Sequence, residues 1–341
     1  MELADSLSLD AAVRAMPKLH LHCHLEGTLR PRTFLELAER EGIPAPSDPD
    51  FAYRFEDFAG FLQTFMAVCK SLRLPEDYGR MAREFVADAR ERHVVYGELF
   101  VSPSVWRYFH PDLDVREALT AVARELQAAD GASFALILDV TRNLGAESAM
   151  RTTELAASAR DCGVIGIGLG GDEARFPAEL FGEVFEFARA QGLHRVAHAG
   201  EAAGAQSVRA AVEVLGAERI GHGVRALEDP SVVAMLAQRR ISLEICPTSN
   251  FLTGAASRER PHPFLELHDA GVPIVIDADD PALFGTSIEA EYRYVAEIAG
   301  LSVLEGFVRN AIDASFASAS QKEALHAELE ATWNPPRGVE G

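Results

Sequence analysis

Cysteine pairs, long apolar segments and a basic leader are all lacking in this sequence, and each absence excludes a class of protein. The four cysteines, Cys23, Cys69, Cys162 and Cys246, lie far apart without paired spacing, which is typical of reduced thiols in the cytoplasm. No apolar segment approaches the roughly 20 residues that a bilayer span requires. The N-terminal segment shows no basic stretch followed by an apolar one, so no secretory signal is predicted. We therefore expect a cytoplasmic protein without a membrane partner.

Basic residues are also few. The 341 residues include 32 Lys and Arg against 52 Asp and Glu, which gives a formal net charge of −20. A surface of this charge repels phosphate backbones, so we expect no nucleic-acid partner. A small neutral or cationic molecule suits this field better. The sequence carries no signal for an oligomeric state.

Eight short apolar segments, rich in β-branched residues, alternate with helical patterns along almost the whole chain. This alternation is typical of parallel βαβ units. Eight such units close most economically as a (β/α)8 barrel, the TIM barrel, although an open doubly wound sheet fits the same alternation. We predict one barrel domain over residues 1–341, with strands at 17–22, 94–101, 133–140, 163–169, 195–199, 218–222, 241–246 and 272–277.

The connection between the first two predicted strands is far longer than a simple crossover needs. We predict a helical insertion over about residues 30–93, and such an insertion after a barrel strand would cover the C-terminal face. Core packing is the simpler explanation of one helical stripe within it, and a lid over the pocket is the alternative. The stripe consists of Phe58, Phe61, Leu62, Phe65, Met66 and Cys69.

Histidines and carboxylates stand at the C-terminal ends of several predicted strands, where stability alone would favour apolar residues. These strand ends meet on one face of a barrel, so residues far apart in the chain can lie close together. The residues are His22 and His24 on strand 1, His198 and Glu201 at strand 5, His222 at strand 6, and Asp279 with Asp280 at strand 8.

A metal site is the chemistry that this set favours. His22 and His24 stand at i and i+2, which places both rings on one face of a strand. His198 adds a third nitrogen and Asp279 an oxygen, and this N3O set suits zinc. None of the three lysines, Lys18, Lys70 and Lys322, falls on strands three to eight, where a carbamylated lysine would bridge two metals. We therefore predict one metal ion per chain.

Two further residues are candidates for proton transfer. Glu201 follows His198 by three positions, so its carboxylate can lie near a metal without binding it and act as general acid and base. His222 can hold a metal-bound water or accept a proton. A structural role for either side chain is the alternative.

Several motifs in order carry a resemblance to a known family. They are MPKLHLHCHLEGTLRP at the start, then GLGGDE (168–173), HAGE (198–201), GHGVRA (221–226), CPTSNFLTGA (246–255) and IDADDPALFGTSIEAEY. Together they resemble the adenosine deaminase family of metal-dependent barrel hydrolases. The resemblance implies a (β/α)8 barrel with one catalytic zinc that acts on 6-aminopurines or their nucleosides.

Carried over residue by residue, the family pattern implies four zinc ligands, namely His22, His24, His198 and Asp279. Glu201 corresponds to the residue that exchanges a proton with ring atom N1. His222 corresponds to the residue that orients the attacking hydroxide. The signature Pro-Cys-x-x-Cys of the other zinc deaminase class is absent.

The same pattern implies the substrate contacts. Asp280 matches the carboxylate that meets N7, and the Gly171 amide matches the donor that faces N3. Glu26 replaces an aspartate that reads the ribose in nucleoside enzymes, and His24 is predicted to border the substrate as well. The residues that match the covering helix, and so support the lid, are Phe58, Phe61, Leu62 and Phe65.

Three departures from the family pattern bear on the substrate. The usual glutamate two positions before the first metal histidine is His20, and the usual Asp-Leu-x-Gly segment begins at Gly168 with glycine. The usual Asn before the Asp-Asp pair has become Asp277, followed by Ala278. Adenosine is our first expectation, to give inosine and ammonia. The alternatives are adenine, 6-amino-6-deoxyfutalosine and N6-substituted adenylates, and more distantly a metal-dependent ester, lactone or amide hydrolase or a non-catalytic binding protein.

Overall fold

The computed structural model describes the backbone of residues 2–55 and 58–332 and the side chains of residues 9–55 and 60–332. Eight parallel strands follow one another around the sheet in the order β1 to β8. The predicted (β/α)8 barrel is therefore confirmed. The strands are β1 (Lys18–His24), β2 (Val94–Val101), β3 (Ser133–Thr141), β4 (Val164–Gly170), β5 (His194–Ala199), β6 (Arg219–His222), β7 (Ser242–Ile245) and β8 (Ile274–Ile276).

Barrel closure explains why β1 runs two residues beyond its predicted end. The His24 amide donates to the Asp279 carbonyl at 2.9 Å, and the Asp279 amide donates to the His22 carbonyl at 3.1 Å. A parallel bridge between Cys23 and Asp279 thus joins the ends of β1 and β8. The contact places the two histidines of β1 directly beside the aspartates that follow β8.

Helices surround the strands and fill the connections between them. Several begin with proline, whose missing N–H costs nothing in a first helical turn. The described helices are α1 (Glu2–Ala15), α2 (Pro31–Glu41), α3 (Phe58–Ser71), α4 (Pro75–Glu91), α5 (Pro103–Phe109), α6 (Val115–Gln127), α7 (Gly145–Ser158), α8 (Gly182–Ala190), α9 (Ala205–Glu213), α10 (Pro230–Arg239), α11 (Pro247–Thr253), α12 (Phe264–Asp269), α13 (Pro281–Phe284), α14 (Ile288–Ala299), α15 (Leu301–Ala314) and α16 (Ala319–Thr332).

Helices α2, α3 and α4 occupy the long connection between β1 and β2. Helix α3 packs on the short turn Glu26–Thr28 and on α13, both of which adjoin the C-terminal ends of the closing strands. None of the helices in the described ranges is long and apolar enough to cross a bilayer.

Charged side chains fill part of the barrel interior toward the N-terminal ends of the strands. The sequence did not predict them. Arg219 of β6 is buried and binds Glu98 of β2 at 2.6 Å and also Glu244 of β7. A buried charge is stable only when it is paired and hydrogen-bonded, as these three groups are. The network ends at the site, because Glu244 also contacts His22.

Candidate active site

Four histidine rings from three strands meet at the C-terminal end of the barrel. The ring centroid of His22 lies 5.5 Å from that of His24, 4.5 Å from that of His198 and 4.9 Å from that of His222. All four side chains are buried. The convergence that the strand-end pattern predicted is therefore present.

Asp279 brings a carboxylate into this group. Its Oδ1 lies 3.6 Å from His22 Nε2 and 3.5 Å from His24 Nε2. The Nε2 atoms of His24 and His198 approach each other to 3.1 Å, and His22 Nε2 is buried without a hydrogen-bond partner among the described residues. Nitrogen atoms that face one another around a carboxylate fit a bound cation, so these residues fit a metal ion.

His222 is also close enough to be a ligand, and it must be distinguished from the others. One set of donor atoms that lie within 4.8 Å of one another comprises His22, His198, His222 and Asp279. Only a nitrogen without a proton can bind a metal. The hydrogen bonds of each ring therefore decide which nitrogen is available.

Two rings present a free nitrogen to the cluster. His22 Nδ1 lies 2.8 Å from Glu244 Oε2, and His198 Nδ1 lies 3.1 Å from the Leu169 carbonyl oxygen. A carboxylate and a carbonyl can only accept, so each Nδ1 carries a proton. The lone pair of each Nε2 then faces the cluster, as a metal ligand requires.

A chain of hydrogen bonds gives His222 the opposite tautomer. The Phe264 amide donates to His262 Nδ1 at 3.2 Å, so His262 donates from Nε2 to Asn250 Oδ1 at 3.2 Å. Asn250 Nδ2 must then donate to His222 Nδ1, at 3.0 Å. Burial lowers the pKa of His262 to about 3, which keeps that ring neutral. Neutral His222 therefore carries its proton on Nε2, a state suited to orienting an oxygen and unsuited to binding a metal.

Burial opposes protonation of His22, but Asp279 and Glu244 outweigh it and raise the pKa of this ring well above its ordinary value, so binding of a metal would release its second proton. The ionisation states of the other residues fit the same division. Burial, together with the neighbouring rings, holds the pKa of His198 well below its ordinary value. Burial also lowers the pKa of His24 to about 4. Burial opposes ionisation of Asp279, but the adjacent His22 and the other histidine rings outweigh it and hold the pKa of this carboxyl well below the ordinary value. Neutral imidazoles and an ionised carboxylate are the forms that bind metals.

Two of these residues have a strained backbone. His222 and Asp279 have φ of 61° and 60°, in the left-handed region that residues other than glycine rarely adopt. Such strain typically occurs at functional sites, where the surrounding structure imposes it. His222 is the last residue of β6, and Asp279 forms the bridge that joins β1 to β8, so both strained residues lie at the mouth of the barrel.

Glu201 and His222 border the same space. Glu201 Oε2 lies 3.6 Å from His222 Nε2, and burial raises the pKa of Glu201 above its ordinary value. Glu173 fixes the loop that carries Glu201, because its carboxylate accepts from the amides of Gly200, Glu201, Ala202 and Ala203 at 2.6–3.1 Å. A raised pKa favours the protonated form that a general acid requires, and the fixed loop keeps Glu201 beside His222.

Asp280 lies over the turn that follows β1. A Cβ atom on Gly27 would stand 2.0 Å from Asp280 Oδ1, so only glycine allows this approach. Burial and the adjacent Asp279 raise the pKa of Asp280 well above its ordinary value. Its Oδ1 has no partner within the described residues. Gly171 follows β4 with φ of 97°, a conformation that glycine permits.

Glu26 supports a neighbouring loop and still has one oxygen to spare. Its Oε1 accepts from the Ser102 amide at 2.8 Å and from Trp106 Nε1 at 2.7 Å. Its Oε2 is buried and finds no partner among the described residues. The ribose-reading role therefore rests on Oε2 alone and stays a prediction.

The predicted lid residues differ in their surroundings. Phe61 is buried and stacks on Phe284 of α13 with centroids 4.7 Å apart. Phe65 is partly buried beside it, at 6.2 Å. Leu62 is 42% exposed, and its predicted contact with a substrate stays a prediction. The side chain of Phe58 lies outside the described part of the structure, so its predicted contact stays a prediction.

Two of the departures from the family pattern contact each other. His20 Nδ1 donates to Asp277 Oδ1 at 2.6 Å, and both side chains are buried. Asp277 Oδ2 also accepts from the amides of Leu21 and His22. The altered residues thus form one compensating pair at the junction of β1 and β8.

Sequence reasoning did not select several residues that the structure places around the site. They include Glu244, which accepts from His22, and Glu173, which fixes the loop that carries Glu201. Asn250 donates to His222. Asp139 of β3 is buried, and its Oδ1 finds no partner in the described ranges. A carboxylate within the apolar segment ALILDV was the available signal for Asp139.

The barrel and its buried histidine and carboxylate cluster define the class as a metal-dependent barrel hydrolase. Comparison with known proteins then identifies the family. Residues 17–332 match the sequence model of the family described as adenosine deaminase. The chain therefore belongs to the adenosine deaminase family, and the resemblance seen in the motifs is confirmed. It is a hydrolytic deaminase that acts on a purine C–N bond.

Similar proteins include enzymes with different substrates. An aminodeoxyfutalosine deaminase of Streptomyces coelicolor is 37% identical over 337 residues, which cover 95% of this chain and 87% of the relative. The crystal structure of an adenine deaminase from Arthrobacter aurescens has a TM-score of 0.86 at 31% identity, covering 93% of this chain and 98% of that one. An amidohydrolase from Burkholderia ambifaria with bound zinc has a TM-score of 0.88 at 28% identity, covering 95% and 92%.

Proposed function

We propose that this protein is a zinc-dependent enzyme that hydrolyses the exocyclic amine of a 6-aminopurine, releasing ammonia and a 6-oxopurine. The observation that carries the proposal is the division among the buried histidines. Two rings with free Nε2 atoms face Asp279, while the ring with the opposite tautomer faces Glu201. The site thus separates metal binding from proton transfer.

The ligands in this proposal are His22, His24, His198 and Asp279, and one zinc ion binds per chain. Zinc is supported by the N3O donor set and by the zinc in the similar amidohydrolase. When bound, zinc supplies a water nucleophile that is activated at neutral pH.

The carboxyl groups complement the ring of a 6-aminopurine, which offers acceptors at N1, N3 and N7. Burial raises the pKa values of both Glu201 and Asp280, which favours the protonated forms that can donate a proton or a hydrogen bond. We assign Glu201 to N1 and Asp280 to N7, with the Gly171 amide at N3. Three donors thus meet three acceptors.

Proton transfer from Glu201 to N1 makes C6 electrophilic, because the ring takes up positive charge next to the carbon that is attacked. His222 donates from Nε2 to the attacking oxygen and so holds it on the face of the ring beside Glu201. After the attack, the carboxylate of Glu201 takes the proton of the hydroxyl group now bonded to C6 and passes it to the amine, so that the C6–N bond breaks as the C6=O bond forms. Loss of ammonia then restores the aromatic ring.

A substrate without a phosphate is favoured by the charge of the site. Glu26, Asp139, Asp279 and Asp280 are all buried around it. Arg142 reaches the site, but it donates to the carbonyls of His198 and Phe176. We therefore rank adenine and uncharged nucleosides above adenylates. Adenosine stays a prediction, and the names of the relatives support the alternatives adenine and aminodeoxyfutalosine.

A substrate screen tests the proposal. The zinc-loaded protein is incubated with adenine, adenosine, adenylate and 6-amino-6-deoxyfutalosine, and ammonia release and the change in the adenine absorbance band are measured. We expect turnover of at least one compound without a phosphate. If none of the four releases ammonia while a lactone or ester is hydrolysed, the deaminase proposal is wrong.

A further inference from the structure

Asp139 of β3 lies against two glycines of the neighbouring strand. It pairs in register with Gly168 of β4, the position where the family usually has aspartate. A Cβ atom on Gly168 would stand 2.9 Å from Asp139 Oδ1, and one on Gly170 would stand 2.6 Å from Asp139 Oδ2. Any side chain at either position would displace this carboxyl group. This chain thus has a carboxylate on β3, directly opposite the β4 position where the family usually has aspartate.

Nothing in the described ranges satisfies this group. Asp139 is 5% exposed, and its Oδ1 is buried without a hydrogen-bond partner. An unpaired buried carboxyl costs stability, because it has lost its hydration without gaining a partner. Burial, and next the charge of Glu26, raise the pKa of Asp139 to about 8. A buried carboxyl group that lowers stability and makes no hydrogen bond within the protein is explained if a ligand supplies the missing hydrogen bond.

The position of Asp139 indicates which part of a substrate it meets. It touches Gly170, and the next residue is Gly171, whose amide we assign to N3. Atom N9 is separated from N3 by one carbon of the purine ring. A free base carries a hydrogen-bond donor at this position, N9–H. A nucleoside instead carries a sugar bonded to N9, and the hydroxyl groups of the sugar are the donors.

We propose that Asp139 is a substrate-binding residue whose carboxyl accepts a hydrogen bond from a donor at the N9 edge of the 6-aminopurine. The inference rests on the proposed function, because the substrate is taken to be a 6-aminopurine. It assigns to β3 a specificity determinant that the family motifs do not include. The hydrogen-bond donor that a substrate carries at the N9 edge then decides how tightly that substrate binds.

The test compares substrates that differ only at this edge. Adenine carries N9–H, 9-methyladenine carries no donor there, and adenosine carries hydroxyls. The value of kcat/KM is measured for each with the wild type, Asp139→Ala and Asp139→Asn, and the inhibition constant replaces it for any compound that is bound but not turned over. Asp130→Asn removes a carboxylate from an exposed position just before β3 and is the matched control.

We expect Asp139→Ala to lose about tenfold or more on the compound whose hydrogen bond Asp139 accepts, because the donor of that compound is then buried without a partner. The loss on 9-methyladenine should stay within about threefold. A selective loss on adenine identifies N9–H as the donor, and a selective loss on adenosine identifies a hydroxyl. Asp139→Asn should lose less, because its amide oxygen can still accept.

Three outcomes would overturn the inference. Equal losses on all three compounds, no loss on any, or a fall in zinc content of Asp139→Asn would each show that Asp139 does not read the N9 edge. A wild type that releases ammonia neither from these purines nor from the other compounds of the substrate screen contradicts the proposed function instead. The two failures are therefore distinguishable.

Discussion

Single carboxyl groups in this site differ in charge because their neighbours differ. Asp279 lies among histidines, and its pKa is held far below the ordinary value. Asp280 is next in the chain but faces Asp279 and Glu26, and its pKa is raised well above the ordinary value. One carboxylate can therefore bind a cation while its neighbour donates a hydrogen bond. Separation of pKa values in this manner is how one site provides both functions.

The role of Glu201 can be tested by an isosteric change. Glu201→Gln keeps the size of the side chain and removes its ability to transfer a proton, so we expect turnover to fall at least about a hundredfold. Zinc content should not change, because Glu201 is not a ligand in our assignment. Glu259→Gln, at an exposed position, is the control. A rate within a few-fold of wild type would exclude Glu201 as the acid.

Glu26→Gln separates loop support from substrate binding. Both loop donors bind the same oxygen, Oε1, so the glutamine oxygen can keep those bonds. The amide nitrogen then replaces the unpartnered Oε2 and turns an acceptor into a donor. We expect kcat/KM for adenosine to fall more than that for adenine, by about 1–3 kcal/mol of binding, with thermal stability nearly unchanged. Equal losses for both compounds would refute the ribose role.

At the scale of elements, a relay between helices fixes the orientation of His222. It begins at the Phe264 amide in α12 and passes through His262, which precedes that helix. It continues through Asn250 of α11 and ends at the His222 ring on β6. Each step has one donor and one acceptor, so the tautomer of His222 depends on all of them.

Asn250→Asp reverses that last step. An aspartate at 250 cannot donate to His222 Nδ1, so the proton of a neutral ring should move to Nδ1 and leave Nε2 bare. We expect kcat to fall at least about tenfold with little change in KM, because the defect concerns proton position rather than substrate binding. Ring nitrogen chemical shifts measured by NMR would report the tautomer directly. An unchanged tautomer would disprove the relay, and an unchanged kcat with an inverted tautomer would disprove the catalytic role of the His222 Nε2 proton.

The junction of β1 and β8 is held by the pair that departs from the family pattern. His20→Glu would place a carboxylate against Asp277 in a buried site, and we expect a loss of about 2–4 kcal/mol in the free energy of unfolding. Adding Asp277→Asn restores the usual family pair, so most of that loss should be recovered. Chemical denaturation of both single variants and the double variant measures the coupling. Additive effects would contradict a direct interaction.

The elements were largely predictable from the sequence, and their contacts were less so. All eight strands could be predicted, because each is a short apolar segment bounded by helical patterns. The convergence of the strand-end histidines and carboxylates could be predicted as well, since parallel strands bring their ends together. The pairing of His20 with Asp277 could not, because the two residues are 257 positions apart and only the closed register of the barrel brings them into contact. Glu244 and Glu173 were missed on the same ground.

At the scale of the whole molecule, the barrel concentrates negative charge. The chain has a net charge of −20, and at least five carboxyl groups lie near the mouth of the barrel. Like charges held together in a folded protein oppose folding, and a bound cation relieves that repulsion. Metal binding should therefore stabilise the fold as well as enable catalysis.

This linkage gives a prediction for the whole protein. A ligand that binds only the folded state adds about 2.7 kcal/mol of stability when its concentration is 100 times its Kd. We expect the midpoint of thermal unfolding to rise with zinc concentration, to fall after chelation, and to saturate at about one zinc per chain. His198→Ala removes a ligand and should abolish both this rise and the activity. His326→Ala, in α16 and paired with Asp313, is the matched control and should behave like the wild type. Full activity of the chelated protein, or a zinc-dependent rise that persists in His198→Ala, would contradict the metal assignment.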